Sequence, residues 1–407
     1  MGNSTFAQEL AASQSVSPVV IAQRILAAAA SPIPVGTATA PTITAANGYA
    51  APTLVTGQAY PYVTAAAASA SVPMLGGPTV PHTALGAPFR INSTSSNGAY
   101  DQNAGGTGEG IAFSTDAQAF EVLLSSAPGT FRFRFTDMVT GARTYYDWTS
   151  TGDYLPRYLK VDLGSRAIRT VEAYGIGYAW GGVVVASGDR VWAPAAILAQ
   201  PTMFVAPADS YCQGYWMSPI ASRIDLFPIL ADMMGMRLIK SGVGGQGAVK
   251  TDPAFNKTLL DRANAGDLAR PGPVELMVFY PSLNDYNQSP ATIQANWTAI
   301  TQRAMLDQPN AIILAFTGFM APAYVVDTAH NAAFTAAFTA SMDSKRMALI
   351  DLFNDPSPLF TPGAQLASNM YSDAIHLKLG TPALGVNYVA PRMASTAIAA
   401  LRQMARP

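Results

Sequence analysis

From residue 201 onward, short apolar runs alternate with helical patterns, and that alternation restricts the fold more than any other feature of the chain. Runs at 203–206, 237–240, 276–280, 311–316 and 347–352 read as strands. Residues 218–236, 291–306, 331–342 and 382–404 carry apolar side chains at helical spacing. Strands separated by helices lie parallel and need helices on both faces of the sheet. The expected fold class for 201–407 is therefore α/β, a three-layer α/β/α domain around a parallel sheet. Groups that do chemistry are expected at the carboxyl ends of its strands.

Residues 91–200 have a different rhythm. Phe131-Arg132-Phe133-Arg134-Phe135 alternates apolar and charged side chains, as a strand with one buried face does. Further short runs at 111–114, 119–124, 158–163, 168–173 and 182–186 are separated by turn signals such as Ala127-Pro128-Gly129. This spacing predicts a β-sandwich or jelly roll. Residues 1–90 carry only three formal charges, Glu9, Arg24 and Arg90, among many Ala, Pro, Thr and Ser. Two short helical patterns open this segment, the second after Ser17-Pro18, and Pro- and Gly-punctuated extended chain follows. It reads as an arm that lies against its own protein, against copies of itself or against a larger assembly, or else as an Ala/Pro linker.

Composition removes several function classes. The net charge is −1 and charged residues make up 12% of the 407, so no basic field exists to gather nucleic acid. One cysteine, Cys212, excludes an intrachain disulfide and a cysteine-based zinc cage. Cys212 reads as a small buried side chain. Three histidines, His82, His330 and His376, lie far apart in sequence, so a catalytic metal is not expected. No membrane span is expected, because the apolar stretch 19–30 is broken by Gln23 and Arg24. The first eight residues lack the basic start of a recognisable signal peptide.

Four segments could carry chemistry. The strand at 203–206 runs into Pro207-Ala208-Asp209-Ser210 and then a helix, which exposes a serine at a strand-to-helix turn; read alone, Ser210 is as consistent with a helix cap. Ser241-Gly242-Val243-Gly244-Gly245-Gln246-Gly247 gives free backbone N–H groups for an anion, or simply a tight turn. It is not a phosphate loop, since Lys250 stands three residues after Gly247 rather than directly after it. Ser282-Leu283-Asn284-Asp285 ends a strand with an amide that can donate to developing negative charge, or with an Asn-Asp turn. In Asp373-Ala374-Ile375-His376 the carboxylate can fold back onto the imidazole and leave its other nitrogen as a base.

Together and in this order, the four segments resemble the blocks of the SGNH (GDSL) hydrolase superfamily over residues 201–400. Ala208-Asp209-Ser210 is similar to the family's Gly-Asp-Ser, and Gly242-Val243-Gly244-Gly245 to its second block. Ser282-Leu283-Asn284-Asp285 is similar to Gly-x-Asn-Asp, and Asp373-x-x-His376 to the last block. Ala208 and Ser282 stand where the family pattern has glycine. The resemblance implies a catalytic triad of Ser210, Asp373 and His376, without metal or cofactor. It implies an oxyanion hole made by the N–H groups of Ser210 and Gly245 and the Asn284 side chain, with Gly244 as the alternative register. Asp209 would brace the turn. His82 and His330 are expected to be structural, and Tyr211, Tyr215 and Trp216 to pack in the core or stack on a sugar.

A β-sandwich before such a domain is similar to the layout of carbohydrate esterases, and Leu163-Gly164-Ser165-Arg166-Ala167-Ile168-Arg169 resembles a segment of their accessory domains. The implied substrate is an ester, first an O-acetyl group on a polysaccharide. The implied setting is extracellular or virion-associated, as in a phage deacetylase, with virion or homo-oligomeric assembly through residues 1–90. The rival readings are a structural or adhesive protein on a hydrolase fold, and a secreted lipase or polyester hydrolase with an apolar trough beside Ser210.

Overall fold

The computed structural model describes residues 16–31, 42–43, 52–54, 58–60, 62–63, 72–75, 80–81, 90–91, 109–126, 129–150, 155–175, 178–213, 226–253, 256–269, 273–317, 328–352, 377 and 386–406. We number strands from residue 109: β1 Glu109–Thr115, β2 Ala119–Ser126, β3 Gly129–Asp137, β4 Arg143–Ser150, β5 Arg157–Asp162, β6 Arg169–Gly175, β7 Tyr178–Val185 and β8 Val191–Trp192. Then follow β9 Thr202–Ala208, β10 Arg237–Gly242, β11 Leu276–Phe279, β12 Ile312–Phe316 and β13 Met347–Ile350. The helices used below are α1 Pro18–Ala29, α2 Ser210–Gln213, α3 Leu226–Met233, α4 Leu259–Asn264, α5 Pro290–Asp307, α6 Thr328–Ala340 and α7 Val386–Met404.

The last five strands form one parallel sheet in the order β10-β9-β11-β12-β13. Its strands are buried on both sides, and successive residues point to opposite layers. Met203, Val205, Leu276, Val278, Ile312 and Leu314 face one layer, in which Ile25 of α1, Leu226 and Leu230 of α3 and Met393 and Leu401 of α7 share their core. Phe204, Met277, Phe279, Ile313 and Ala315 face the other, with Leu259 of α4, Trp297 and Ile300 of α5 and Phe334 of α6. The fold is thus the expected α/β/α sandwich of layers, preceded by antiparallel sheets.

Ahead of it, two seven-stranded, largely antiparallel sheets enclose a second core. One contains β5, β2 and β7 as neighbours; the other runs β4-β3-β6-β1. Phe120, Val122, Leu159, Val161 and Trp180 from the first sheet meet Phe113, Phe133, Trp148 and Val171 from the second. Phe113 and Phe120 meet edge to face at 5.1 Å. β4 was not legible as a strand: it is an edge with a single neighbour, β3, and its outer side chains are Tyr and Asp rather than an apolar alternation.

The described parts of residues 1–90 lie on both units. Ile21, Ala22 and Ile25 of α1 are buried in the parallel-sheet core, and Arg24 pairs with Glu275 at 2.7 Å. Two-to-four-residue strands between 42 and 91 extend the antiparallel sheets. The backbone N–H and hydroxyl of Thr53 both donate to the buried Glu121 carboxylate of β2. Among the described residues, no helix is long and apolar enough to cross a membrane.

A buried ionic seam joins the two units. Phe133 and Phe135 point into the sandwich core as their alternation predicts, but Arg134 on the opposite face is only 2% exposed. Its guanidinium makes a two-pronged pair with Glu172 of β6 at 2.5 and 2.6 Å and a third bond to Asp232 of α3 at 2.9 Å. Tyr174 donates its phenol to the same Glu172 carboxylate. Burial works against the Arg134 charge; the two carboxylates outweigh it and hold the guanidinium ionised.

Two stability predictions follow from these contacts. Glu172→Ala leaves Arg134 buried with half its counter-charge and should cost about 3–5 kcal/mol. Ile25→Ala should cost about 2–5 kcal/mol if α1 is part of the parallel-sheet core. Urea unfolding of the full chain measures both, as a lower midpoint at an unchanged slope.

Candidate active site

The strand order makes β9 a switch point, because the chain leaves it on one side for β10 and returns on the other as β11. Loops that diverge in this way open a crevice at the carboxyl edge of a parallel sheet. The segments carrying Ser210, Gly245 and Asn284 follow β9, β10 and β11 respectively.

Ser210 is the first residue of α2, two residues past the end of β9. Asp209 beside it is 1% exposed and its carboxylate accepts three hydrogen bonds. The donors are the Tyr211 N–H at 3.0 Å, the Tyr280 phenol at 2.8 Å and the Ser282 hydroxyl at 2.7 Å. Burial and the adjacent Asp209 push the Tyr280 phenol well above its usual range, so it stays a neutral donor. This is how a carboxylate braces a turn: it is held from the turn itself, from the end of β11 and from the segment that follows.

The Ser282 hydroxyl also lies 2.8 Å from the Gln246 carbonyl, and it accepts from the Asn284 N–H and side-chain amide, each at 3.2 Å. The Asn284 amide lies 3.0 Å from the same Gln246 carbonyl. Ser282 therefore links the Ser210 turn, the glycine-rich loop and the Asn284 turn.

The glycine-rich loop is fixed at both ends. The Val243 N–H donates to the Ala208 carbonyl at 2.9 Å. Gly245 has a φ of +79°, which a residue with a Cβ adopts only with strain. A Cβ on Gly247 would fall 2.2 Å from the Asp285 carboxylate, so the loop and that carboxylate meet only because Gly247 has no side chain. Asp285 accepts the N–H groups of Ala248, Val249 and Lys250 at 2.7, 3.0 and 2.9 Å. Burial raises the Asp285 pKa, while these three donors and nearby His330 pull it back. His330 itself is buried in the first turn of α6.

Beneath the loop lies a residue that the sequence reading did not single out. Arg262 of α4 is fully buried and pairs with the fully buried Asp267 at 2.7 Å. Its remaining N–H groups reach the Ala208 carbonyl, the Gln246 side chain and the Ser241 carbonyl and hydroxyl. The available signal was the capping box of α4, in which Thr258 and Asp261 each accept from the other's backbone N–H.

The structure thus brings the segments of Ser210, Gly245 and Asn284 into one hydrogen-bonded group. Asp373 and His376 lie outside the described residues, as do Tyr215, Trp216 and His82. Leu377, which follows His376, is buried in the core cluster that also holds Tyr211 and Cys212. Tyr211 and Cys212 are core residues, at 3% and 0% exposure.

No family profile matches the sequence, and no curated protein matches it either. Solved structures do match. A family two carbohydrate esterase from Cellvibrio japonicus superposes with a TM-score of 0.53 at 14% identity, covering 82% of this chain and 98% of that one. A family two carbohydrate esterase from Clostridium thermocellum, in complex with cellohexaose, gives 0.53 at 13% identity over 73% of this chain and 92% of its own. The acetyl xylan esterase Est2A from Butyrivibrio proteoclasticus gives 0.52 at 11% identity over 73% and 89%. The chain shares the fold of these carbohydrate esterases, a parallel-sheet α/β domain preceded by antiparallel sheets.

Proposed function

We propose that this chain is a serine esterase that removes O-acetyl groups from a polysaccharide through an acyl-enzyme on Ser210. The observation that carries the reading is the hydrogen-bonded union of three loops at the carboxyl edge of the parallel sheet: Asp209 to Ser282, Ser282 to Asn284, and Asn284 to Gln246 beside Gly245. The solved esterases of the same fold support the ester as substrate class, and the cellohexaose complex of one of them supports a polysaccharide carrier.

On this reading His376, held by Asp373, takes the Ser210 proton as Oγ attacks the acetyl carbonyl. The carbonyl oxygen gains the electron pair and becomes an oxyanion facing the N–H groups of Ser210 and Gly245 and the Asn284 amide. That amide exchanges one of its two hydrogen bonds, to the Gln246 carbonyl or to Ser282 Oγ, for one to the oxyanion. Collapse expels the sugar hydroxyl, which takes the proton from His376 and leaves acetyl on Ser210. Water repeats the cycle: His376 accepts its proton as the water oxygen bonds to the acyl carbon, the acyl bond to Ser210 breaks as Oγ takes that proton back from His376, and acetate leaves. Asp209 keeps the turn in place through its three hydrogen bonds. The N-terminal segment, with α1 lying on the hydrolase layer, is proposed as the route of attachment to a virion or to further copies of the chain.

Hydrolysis of 4-nitrophenyl acetate and butyrate by the full chain between pH 5 and 9 tests this. Acetate should be cleaved faster than butyrate, and activity should fall below about pH 6.5 as His376 takes up a proton. Ser210→Ala should abolish turnover, and Asn284→Ala should lower kcat by about 10²–10³. Equal rates for the wild type and Ser210→Ala, on acetylated xylan as well as on the small esters, would sink the reading and leave an assembly module on a hydrolase fold.

A further inference from the structure

We propose that Arg262 is a positioning residue that sets the nucleophile turn against the oxyanion loop; this rests on the esterase reading above. The two proposed backbone donors, the N–H groups of Ser210 and Gly245, come from different loops, after β9 and after β10. They serve one oxygen only if both sit about 2.7–3.1 Å from it. Something must therefore fix one loop relative to the other.

Arg262 has the geometry to do so. A guanidinium has five N–H donors in one rigid plane. Here Nε is used by Asp267 at 2.7 Å, which meets the charge. Nη1 donates to the Ala208 carbonyl at 3.4 Å and to Gln246 Oε1 at 3.0 Å. Nη2 donates to the Ser241 carbonyl at 3.2 Å and to the Ser241 hydroxyl. Ala208 lies two residues before Ser210, and Ser241 and Gln246 bracket Gly245. One flat, fully buried group thus measures out the spacing between the two loops.

Charge balance alone does not account for this arrangement. Asp267 satisfies the charge through Nε, and a lysine could do the same, but an ammonium on a flexible stem cannot hold four acceptors in one plane. Neutral side chains would fill the space without the desolvation cost that an ion carries into a site with no exposure. What arginine adds is the fixed fork across both loops.

The test uses the full chain and Arg262→Lys, with Ser241→Ala as a milder variant that removes one acceptor. Turnover of 4-nitrophenyl acetate is divided by the fraction of Ser210 titrated to completion with a fluorophosphonate. Backbone hydrogen exchange is followed in parallel. Arg262→Lys should lower kcat about tenfold or more with KM within about twofold, the mark of an interaction made in the transition state. Exchange should rise together at 208–213 and 241–247. Unchanged kcat, or faster exchange confined to 259–267, would overturn the proposal. If Arg262→Lys does not fold, Ser241→Ala decides: a several-fold fall in kcat at constant KM supports the tie, and no fall overturns it. If the wild type neither turns over nor takes the label, the esterase reading fails by itself. The exchange pattern of the same variants then still decides whether Arg262 couples the two loops.

Discussion

Parallel pairing of β9 with β10 on one side and β11 on the other is the constraint from which the rest of the site follows. Parallel strands deliver all their carboxyl ends to one edge, and the reversal of order at β9 forces the loops there to diverge. Ser210 therefore stands in the middle, with the glycine-rich loop to one side and the Asn284 turn to the other. Nothing in this layout needs Ser210, Gly245 and Asn284 to be near one another in sequence. The sheet brings them together before any side chain acts.

Loops that leave a sheet lose their ladder partners, and near the core their N–H and C=O groups must be satisfied by other means. Here buried side chains supply what the ladder no longer does. Asp285 takes three consecutive N–H groups of 248–250, Asp209 holds the Ser210 turn, and Arg262 serves two carbonyls and three side chains. Charged residues are only 12% of the chain, yet Arg262, Asp267, Asp209 and Asp285 are all at 1% exposure or less. The same logic operates at the seam between the units, where Arg134 is buried between carboxylates of both. In this protein a buried charge marks a place where two pieces of chain must be kept in register.

The sequence made the alternation from residue 201 legible because both periods are strong there. The strands of the parallel sheet other than β10, which reads Arg237-Leu238-Ile239-Lys240-Ser241-Gly242, are largely apolar runs, and α5 and α6 show their helical spacing within a few residues of the observed ends. The strands of the sandwich from residue 109 onward were legible from their alternation, β4 and the two-residue β8 excepted. Shorter elements were not. α4 spans six residues, too few for a helical period to stand out, and it carries Arg262. Arg134 looked like the solvent side of a strand, since alternation tells which residues share a face but not what covers it. α1 poses the same problem in reverse: its apolar stripe demanded a partner, and only the fold reveals that the partner is the core of a domain that begins some 170 residues later.

The two departures from the family pattern have unequal consequences, and the difference is physical. Ala208 adds one methyl group at the buried end of β9, while the function of that position lies in its carbonyl, which accepts from Val243 and Arg262. An alanine carbonyl is equivalent to a glycine carbonyl, so the change leaves the hydrogen bonding intact. Ser282 adds a hydroxyl, and that hydroxyl is bonded to Asp209 while accepting from both nitrogens of Asn284. A glycine there would leave Asp209 with one donor fewer and the Asn284 N–H without this acceptor. The Ser282 hydroxyl therefore joins the Ser210 turn to the amide beside it.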